Sequence, residues 1–163
     1  MRGKVTNRAD EPLGGVVITV QGHPEFGQTL TRADGMFDLA VNGGGYLAVN
    51  YAKRGFLPCQ RQVQVPWQDY AVVPEVVLIP IDPQVTEVDL LAPAPIQVAR
   101  GSVVTDDDGS RQATLLIPQG TTAQMDVGGV EQALTSLHLR ATEYTIGPNG
   151  PNAMPGELPR TTG

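Results

Sequence analysis

Apolar and polar positions alternate along this chain in short runs, and glycine, proline or an Asp-Gly pair closes nearly every run. Such alternation marks half-buried strands, because successive side chains of a strand point to opposite faces. Gly3-Lys4-Val5-Thr6 opens the series, followed by a turn region at residues 7–15 that holds Asp10, Glu11 and Pro12. Val16-Val17-Ile18-Thr19-Val20 is β-branched throughout and predicts a strand by propensity alone. Residues 22–27 read as a loop, residues 28–31 as a short strand, and Asp34-Gly35 as a tight hairpin that needs a positive φ.

The pattern continues through the next fifty positions. Phe37, Leu39 and Val41 share one face, and Asn42-Gly43-Gly44-Gly45 turns the chain. Leu47, Val49 and Tyr51 then alternate with Tyr46, Ala48 and Asn50. After a turn at Lys53-Arg54-Gly55, Cys59, Arg61, Val63 and Val65 alternate with Gln60, Gln62 and Gln64. Residues 75–81 are mostly apolar, as expected of a strand covered on both sides or central to a sheet. About seven strands in roughly eighty residues, with turns at this spacing, predict a β-sandwich.

Asp82-Pro83-Gln84 marks a joint, residues 85–91 a connecting strand, and Ala92-Pro93-Ala94-Pro95 a stiff extended spacer. Residues 96–105 read as a long strand ending at Asp106-Asp107-Asp108-Gly109, and residues 113–117 and 121–127 as two more. Leu137, Leu139 and Ala141 alternate with His138, Arg140 and Thr142. The expected fold class is therefore all-β: a seven-stranded sandwich over residues 1–82, then a second, smaller β unit over residues 83–146, left incomplete. Residues 147–163, rich in proline, glycine and asparagine, are expected to form an extended tail leading out of the fragment.

Composition narrows the function. The net charge is −6, the only lysines are Lys4 and Lys53, and the arginines are scattered. Nucleic acid is excluded as a partner, since displacing phosphate counterions needs clustered cations. No apolar run approaches the ~20 residues that span a bilayer, so no membrane insertion is expected, and no signal peptide is read here, which says little of a longer parent. Cys59, the one cysteine, rules out an internal disulfide and reads as a buried, inert thiol.

Chemistry-bearing constellations are sparse. Asp106-Asp107-Asp108-Gly109 lacks the alternating ligands and distant glutamate of a calcium loop and reads as a solvated hairpin turn. His23 and His138 stand apart, without partners at metal-ligand spacing. Ser102 in Arg100-Gly101-Ser102-Val103 is not a nucleophile elbow. An isopeptide crosslink between Lys4 and Asp82 is disfavoured, because an inward Val5 turns Lys4 outward. No catalytic residue, cofactor or metal is expected.

The aromatic residues offer the one sharper signal. Val65-Pro66-Trp67-Gln68-Asp69-Tyr70 places the single tryptophan and a tyrosine on a proline-started loop. Exposed, such a pair anchors a protein or carbohydrate partner. A loop that folds back and caps the core with Trp67 is the placement we expect. Trp67, Tyr70 and Tyr144 are the candidate partner contacts.

Gly3-Lys4-Val5-Thr6, Pro12-Leu13-Gly14-Gly15-Val16-Val17-Ile18 and Thr31-Arg32-Ala33-Asp34-Gly35-Met36-Phe37 together resemble the carboxypeptidase regulatory-like (transthyretin-like) family, a prealbumin-type sandwich. Three longer strings, Gly22-His23-Pro24-Glu25-Phe26-Gly27, Val65-Pro66-Trp67-Gln68-Asp69-Tyr70 and residues 98–109, resemble the segment preceding the YD repeats of bacterial Rhs and teneurin-like proteins. Residues 113–122 and 140–150 extend that likeness. In that family the repeats coil into a hollow β-shell, which in bacteria encloses a toxin or effector, and the sandwich region before them plugs one end. The resemblance implies a non-catalytic plug or spacer whose partner is the rest of its parent polypeptide. It also implies an extracellular or cell-surface setting within a larger secreted bacterial protein. The alternative is an adhesion module that binds carbohydrate or protein through the Trp67 and Tyr70 loop.

Overall fold

Val5, inward-facing on the first strand, has no exposed surface, and two sheets are assembled around it and its neighbours. The computed structural model describes residues 1–144 and 147–156. The chain divides into two units, one of Met1–Pro80 with Tyr144–Gly163, the other of Ile81–Glu143.

Among the described residues the first unit carries seven strands: β1 (Arg2–Thr6), β2 (Val17–Val20), β3 (Gln28–Leu30), β4 (Met36–Asp38), β5 (Gly45–Ala52), β6 (Cys59–Val65) and β7 (Val76–Val77). One sheet has the order β4-β1-β7, with β7 parallel to β1; the other has the order β3-β2-β5-β6 and is antiparallel. Alternation does what the sequence pattern promised. Ile18, Val20, Leu47, Val49, Tyr51, Val63 and Val65 face inward from the larger sheet and meet Val5, Phe37 and Val76 from the smaller. Phe37 and Tyr51 join the sheets edge-to-face at 5.9 Å, and each fully buried aromatic stabilises the sandwich by about 1.5–3 kcal/mol. The outer face of the larger sheet presents Val17 and Thr19 on β2, Gln28 and Leu30 on β3, Tyr46, Ala48, Asn50 and Ala52 on β5, and Gln60, Gln62 and Gln64 on β6.

The Asp34-Gly35 turn forms, with Gly35 at φ 75° and its N–H bonded to the Arg32 carbonyl at 2.9 Å, but it is not a hairpin. Its flanking strands go to different sheets, β3 beside β2 and β4 beside β1. The Gly35 carbonyl accepts from Val5 N–H at 2.9 Å, so the turn is a crossover clamped to β1. A Cβ on Gly35 would lie 2.4 Å from the Val5 carbonyl oxygen, which excludes any other residue.

Residues 76–79 are buried on both faces, for a reason the local pattern does not contain. Val76 and Leu78 enter the main core, whereas Val77 and Ile79 pack beneath Ala153 and Tyr144. Ala153 lies in a one-turn helix, α1 (Gly150–Ala153), preceded by a 3-10 turn, Gly147–Asn149. The expected extended tail is therefore folded back over residues 147–153, and residues 157–163 of that expectation lie outside the described residues. Helix α1 has proline in its first turn, where a missing N–H costs nothing. Met154 is already extended, as the residue before Pro155 should be.

The second unit carries eight short strands: β8 (Thr86–Asp89), β9 (Ile96–Arg100), β10 (Val104–Asp106), β11 (Gly109–Arg111), β12 (Thr114–Pro118), β13 (Ala123–Val127), β14 (Val130–Leu134) and β15 (Ser136–Leu139). They form four two-stranded ladders, β8 with β15, β9 with β12, β10 with β11, and β13 with β14. The long strand expected over residues 96–105 is divided at residues 101–103 into β9 and β10. The core is thin: Val88, Ala99 and Ile117, flanked by Leu90, Leu137 and Leu139. A buried polar node compensates. The Asp82 carboxylate accepts from Ser102 N–H at 2.7 Å, Ser102 Oγ at 2.9 Å and Gln84 N–H at 2.8 Å, and Arg140 donates to the Asp82 carbonyl at 3.0 Å. Burial pushes the Asp82 carboxyl up, but these hydrogen bonds and the Arg140 charge outweigh it and hold it below the usual carboxylate value.

Candidate functional site

The loop after β6 is built outward, not inward. Val65 ends the strand buried, and the chain runs through Pro66, Trp67, Gln68 and Asp69 to Tyr70. Gln68 takes a positive φ of 54°, uncommon for a side-chain-bearing residue, and turns the loop back. Ala71 and Val73 then fill the core beneath it, and Arg2 clamps the segment through Arg2 N–H to the Ala71 carbonyl and Val73 N–H to the Arg2 carbonyl, both 2.8 Å. The volume that Trp67 was expected to cap is thus occupied by Val65, Ala71 and Val73. Trp67 is 69% exposed and Tyr70 88% exposed, so the core-capping expectation is replaced by an open aromatic loop.

Gly43 makes this geometry available. A Cβ there would sit 1.9 Å from the Pro66 carbonyl oxygen, so only glycine lets the two loops approach. The Trp67 indole lies against Gly44, next to the start of β5 and its exposed Tyr46. Shallow depressions flank Tyr70. One, of about 280 Å³, is lined by Arg2, Asp38, Leu39 and Ala40; the other, of about 310 Å³, by Val41, Gly43, Pro66, Gln68 and Asp69. Asp38 accepts from Arg2 Nε at 2.5 Å and from Arg32 Nη1 at 2.8 Å, and these bonds hold its carboxyl below the ordinary value.

Tyr144 does not join this loop. It is half-buried with Val77, Ile79 and Ala153, and burial pushes its phenol up. Cys59 is buried, with Sγ 3.3 Å from the Met154 carbonyl oxygen. Lys4 faces outward to Glu75 at 3.4 Å, as an inward Val5 requires. Asp106 is held by both terminal nitrogens of Arg111 across the β10–β11 ladder, and Arg111 Nε donates to Glu143 at 2.9 Å. That fork raises the Arg111 guanidinium and gives the aspartate turn a structural partner. His23 pairs with Glu25 at 2.8 Å and stacks on Phe26, and His138 is exposed on β15. Among the described residues no group of three His, Cys, Asp or Glu could hold a metal, and no helix is long and apolar enough to cross a membrane.

The second unit carries a feature that composition did not disclose. On the β9–β12 ladder Val98 pairs with Leu116 and Ile96 with Pro118, and all four side chains are exposed on one face. Met125, Val127 and Val130 share one exposed face of the β13–β14 hairpin. Apolar positions in a strand ordinarily mark a buried face; here the inner positions, Ala99 and Ile117, are buried and the outer ones remain open to solvent.

Residues 1–78 match the family model described as Teneurin TTR-like domain. The chain is 31% identical over 149 residues to Teneurin-3 of Danio rerio, an alignment covering 88% of this chain. It is 25% identical over 149 residues to Teneurin-4 of Homo sapiens, again over 88% of this chain. It is 41% identical over 78 residues to Teneurin-m of Drosophila melanogaster, 48% of this chain. The likeness to Teneurin-3 therefore runs past residue 78 into the second unit. The chain spans only 6% of the length of that Teneurin-3 and 3% of Teneurin-m.

Proposed function

We propose, from the premise that residues 1–78 belong to the Teneurin TTR-like domain family, that this chain is a non-catalytic structural module of a larger YD-repeat polypeptide. Its role is that of a plug or spacer packing against the repeat shell, in a cell-surface or extracellular setting. The supporting observation is the open apolar face of Ile96, Val98, Leu116 and Pro118. A contiguous apolar patch on a soluble module marks a surface that another part of an assembly covers.

The test is binding of the intact chain to a purified YD-repeat shell, with Val98→Lys and Leu116→Lys as variants. Both positions are exposed, so melting should change little while shell binding falls at least tenfold. Unaltered binding by the double variant would remove the basis of the proposal.

A second reading is favoured by one observation, the 69% and 88% exposure of Trp67 and Tyr70. It is an adhesion module that docks protein or carbohydrate on the aromatic loop. Rigid aromatic side chains give large contact area at low entropic cost. Trp67→Ala with Tyr70→Ala distinguishes the two, since the plug requires neither side chain.

A further inference from the structure

We infer that the outer face of the β3-β2-β5-β6 sheet is a platform for a neutral oligosaccharide chain. In a protein of net charge −6 this face carries no charged side chain on any of its four strands. That is unusual for exposed sheet surface, where lysine and glutamate ordinarily discourage association. The charged partners that would suit the rest of the surface gain nothing here. An uncharged ligand pays no electrostatic penalty.

What the face offers instead is amide chemistry. Gln60, Gln62 and Gln64 stand in one row along β6, spaced by about 6.8 Å per pair of residues. Gln60 Nε2 is braced by Asn50 Oδ1 at 2.8 Å and Gln21 Oε1 at 2.5 Å, which fixes its position on the sheet. With both N–H groups of Gln60 given to Asn50 and Gln21, its Oε1 remains as an acceptor, while the Gln62 and Gln64 amides carry donors as well as acceptors, and a sugar hydroxyl is both. The row thus sets one fixed acceptor, Gln60, in line with two amides that can turn to suit either sense of a sugar hydroxyl. Tyr46, opposite Gln64 and 59% exposed, stands at one end of the row, and Trp67 lies at that same end against Gly44. Their rings supply the apolar surface that a pyranose C–H face covers. The row spans about 14 Å, room for a few sugar units.

The inference is separate from the plug reading, since it uses only the first unit. It differs from the loop reading in needing Tyr46 and Gln62 rather than Tyr70. The experiment is calorimetric titration of the full chain with cellohexaose, xylohexaose, maltohexaose and chitohexaose, with emission of the single tryptophan, Trp67, as a second readout. We expect saturable binding of at least one of these at about 1 mM or tighter. Raising NaCl from 0.1 to 0.5 M should leave it unchanged, because the ligand is neutral. Tyr46→Ala and Gln62→Ala should each weaken it at least fivefold with unchanged melting, and Tyr70→Ala should have no effect. Absence of binding by all four sugars overturns the inference, as does affinity that collapses with salt. Loss on Tyr70→Ala with retention in Tyr46→Ala and Gln62→Ala overturns it too, and leaves the loop reading standing. Dimers dissociated by Gln62→Lys, without sugar binding, would assign the face to a second copy of the chain instead.

Discussion

Arg61 Nη1 donates to the Met154 carbonyl oxygen at 2.7 Å, and Nη2 of the same guanidinium reaches the Asn152 carbonyl at 2.7 Å. Arg61 is 5% exposed and sits on the inward register of β6, where its neighbours are Cys59 and Val63. Its hydrogen-bond partners are backbone carbonyls, with Gln60 contributing a third at 2.8 Å. The carbonyls at the end of a short helix are orphan acceptors, and a cation there also suits the helix dipole. Gln60 N–H adds a bond to the Pro155 carbonyl at 2.9 Å.

Arg61→Ala should remove the guanidinium from both carbonyls, leaving Met154 only the weak Cys59 thiol contact, and destabilise the first unit by about 1.5–3 kcal/mol, the usual worth of hydrogen bonds to a charged group. Hydrogen exchange should show the loss concentrated at residues 147–156. Arg61→Lys should rescue little, since an ammonium cannot fork to two acceptors as guanidinium does.

Asp82 sets a pH limit for the second unit. Its folded-state value is held below that of an unfolded aspartate, so its contribution is fully present above about pH 4. The contribution is lost as pH falls through the lowered native value. Acid titration followed by exchange at residues 82–84 and 101–102 should show opening in that range, and Asp82→Asn should flatten the profile.

Gly43→Ala should displace the aromatic loop. The added Cβ meets the Pro66 carbonyl at 1.9 Å, and backbone cannot yield as a flexible side chain can. We expect a loss of about 1–3 kcal/mol, as in overpacked sites, with a shift in Trp67 emission.

Trp67→Ala and Tyr70→Ala, by contrast, should alter stability by no more than about 0.5 kcal/mol, the usual range for surface substitutions. Thermal melting checks this. A loss of several kcal/mol in the Trp67 variant would mean that the indole supports the core after all.

The strands were legible because their signal is local. Leu47, Val49 and Tyr51 alternate with more polar neighbours, and nothing distant is needed to place them on β5. Three features escaped because their causes are remote. Arg61 interrupts an apolar register, a sign that a partner exists, but Asn152 and Met154 lie more than ninety positions away. Residues 147–153 read as tail by composition, and one helical turn is not stable by propensity; packing of Ala153 on Val77 and Ile79 holds it. The Asp34-Gly35 turn was visible, whereas the sheet each flanking strand joins depends on pairing with β1 and β2. Of the candidate contacts, Trp67 and Tyr70 were named from the sequence, but whether they faced solvent depended on Ala71 and Val73 filling the space below. Tyr46 went unnoticed, hidden among the alternation that identified its own strand.

Because the chain leaves the first unit at Pro80 and rejoins it at Tyr144, residues 81–143 interrupt that unit in the sequence. The seam of the first unit is therefore a pair of positions rather than a single cut. Transplanting residues 1–78 alone would carry the sandwich without its clasp; the transferable piece must include the far side of the seam, through Pro155.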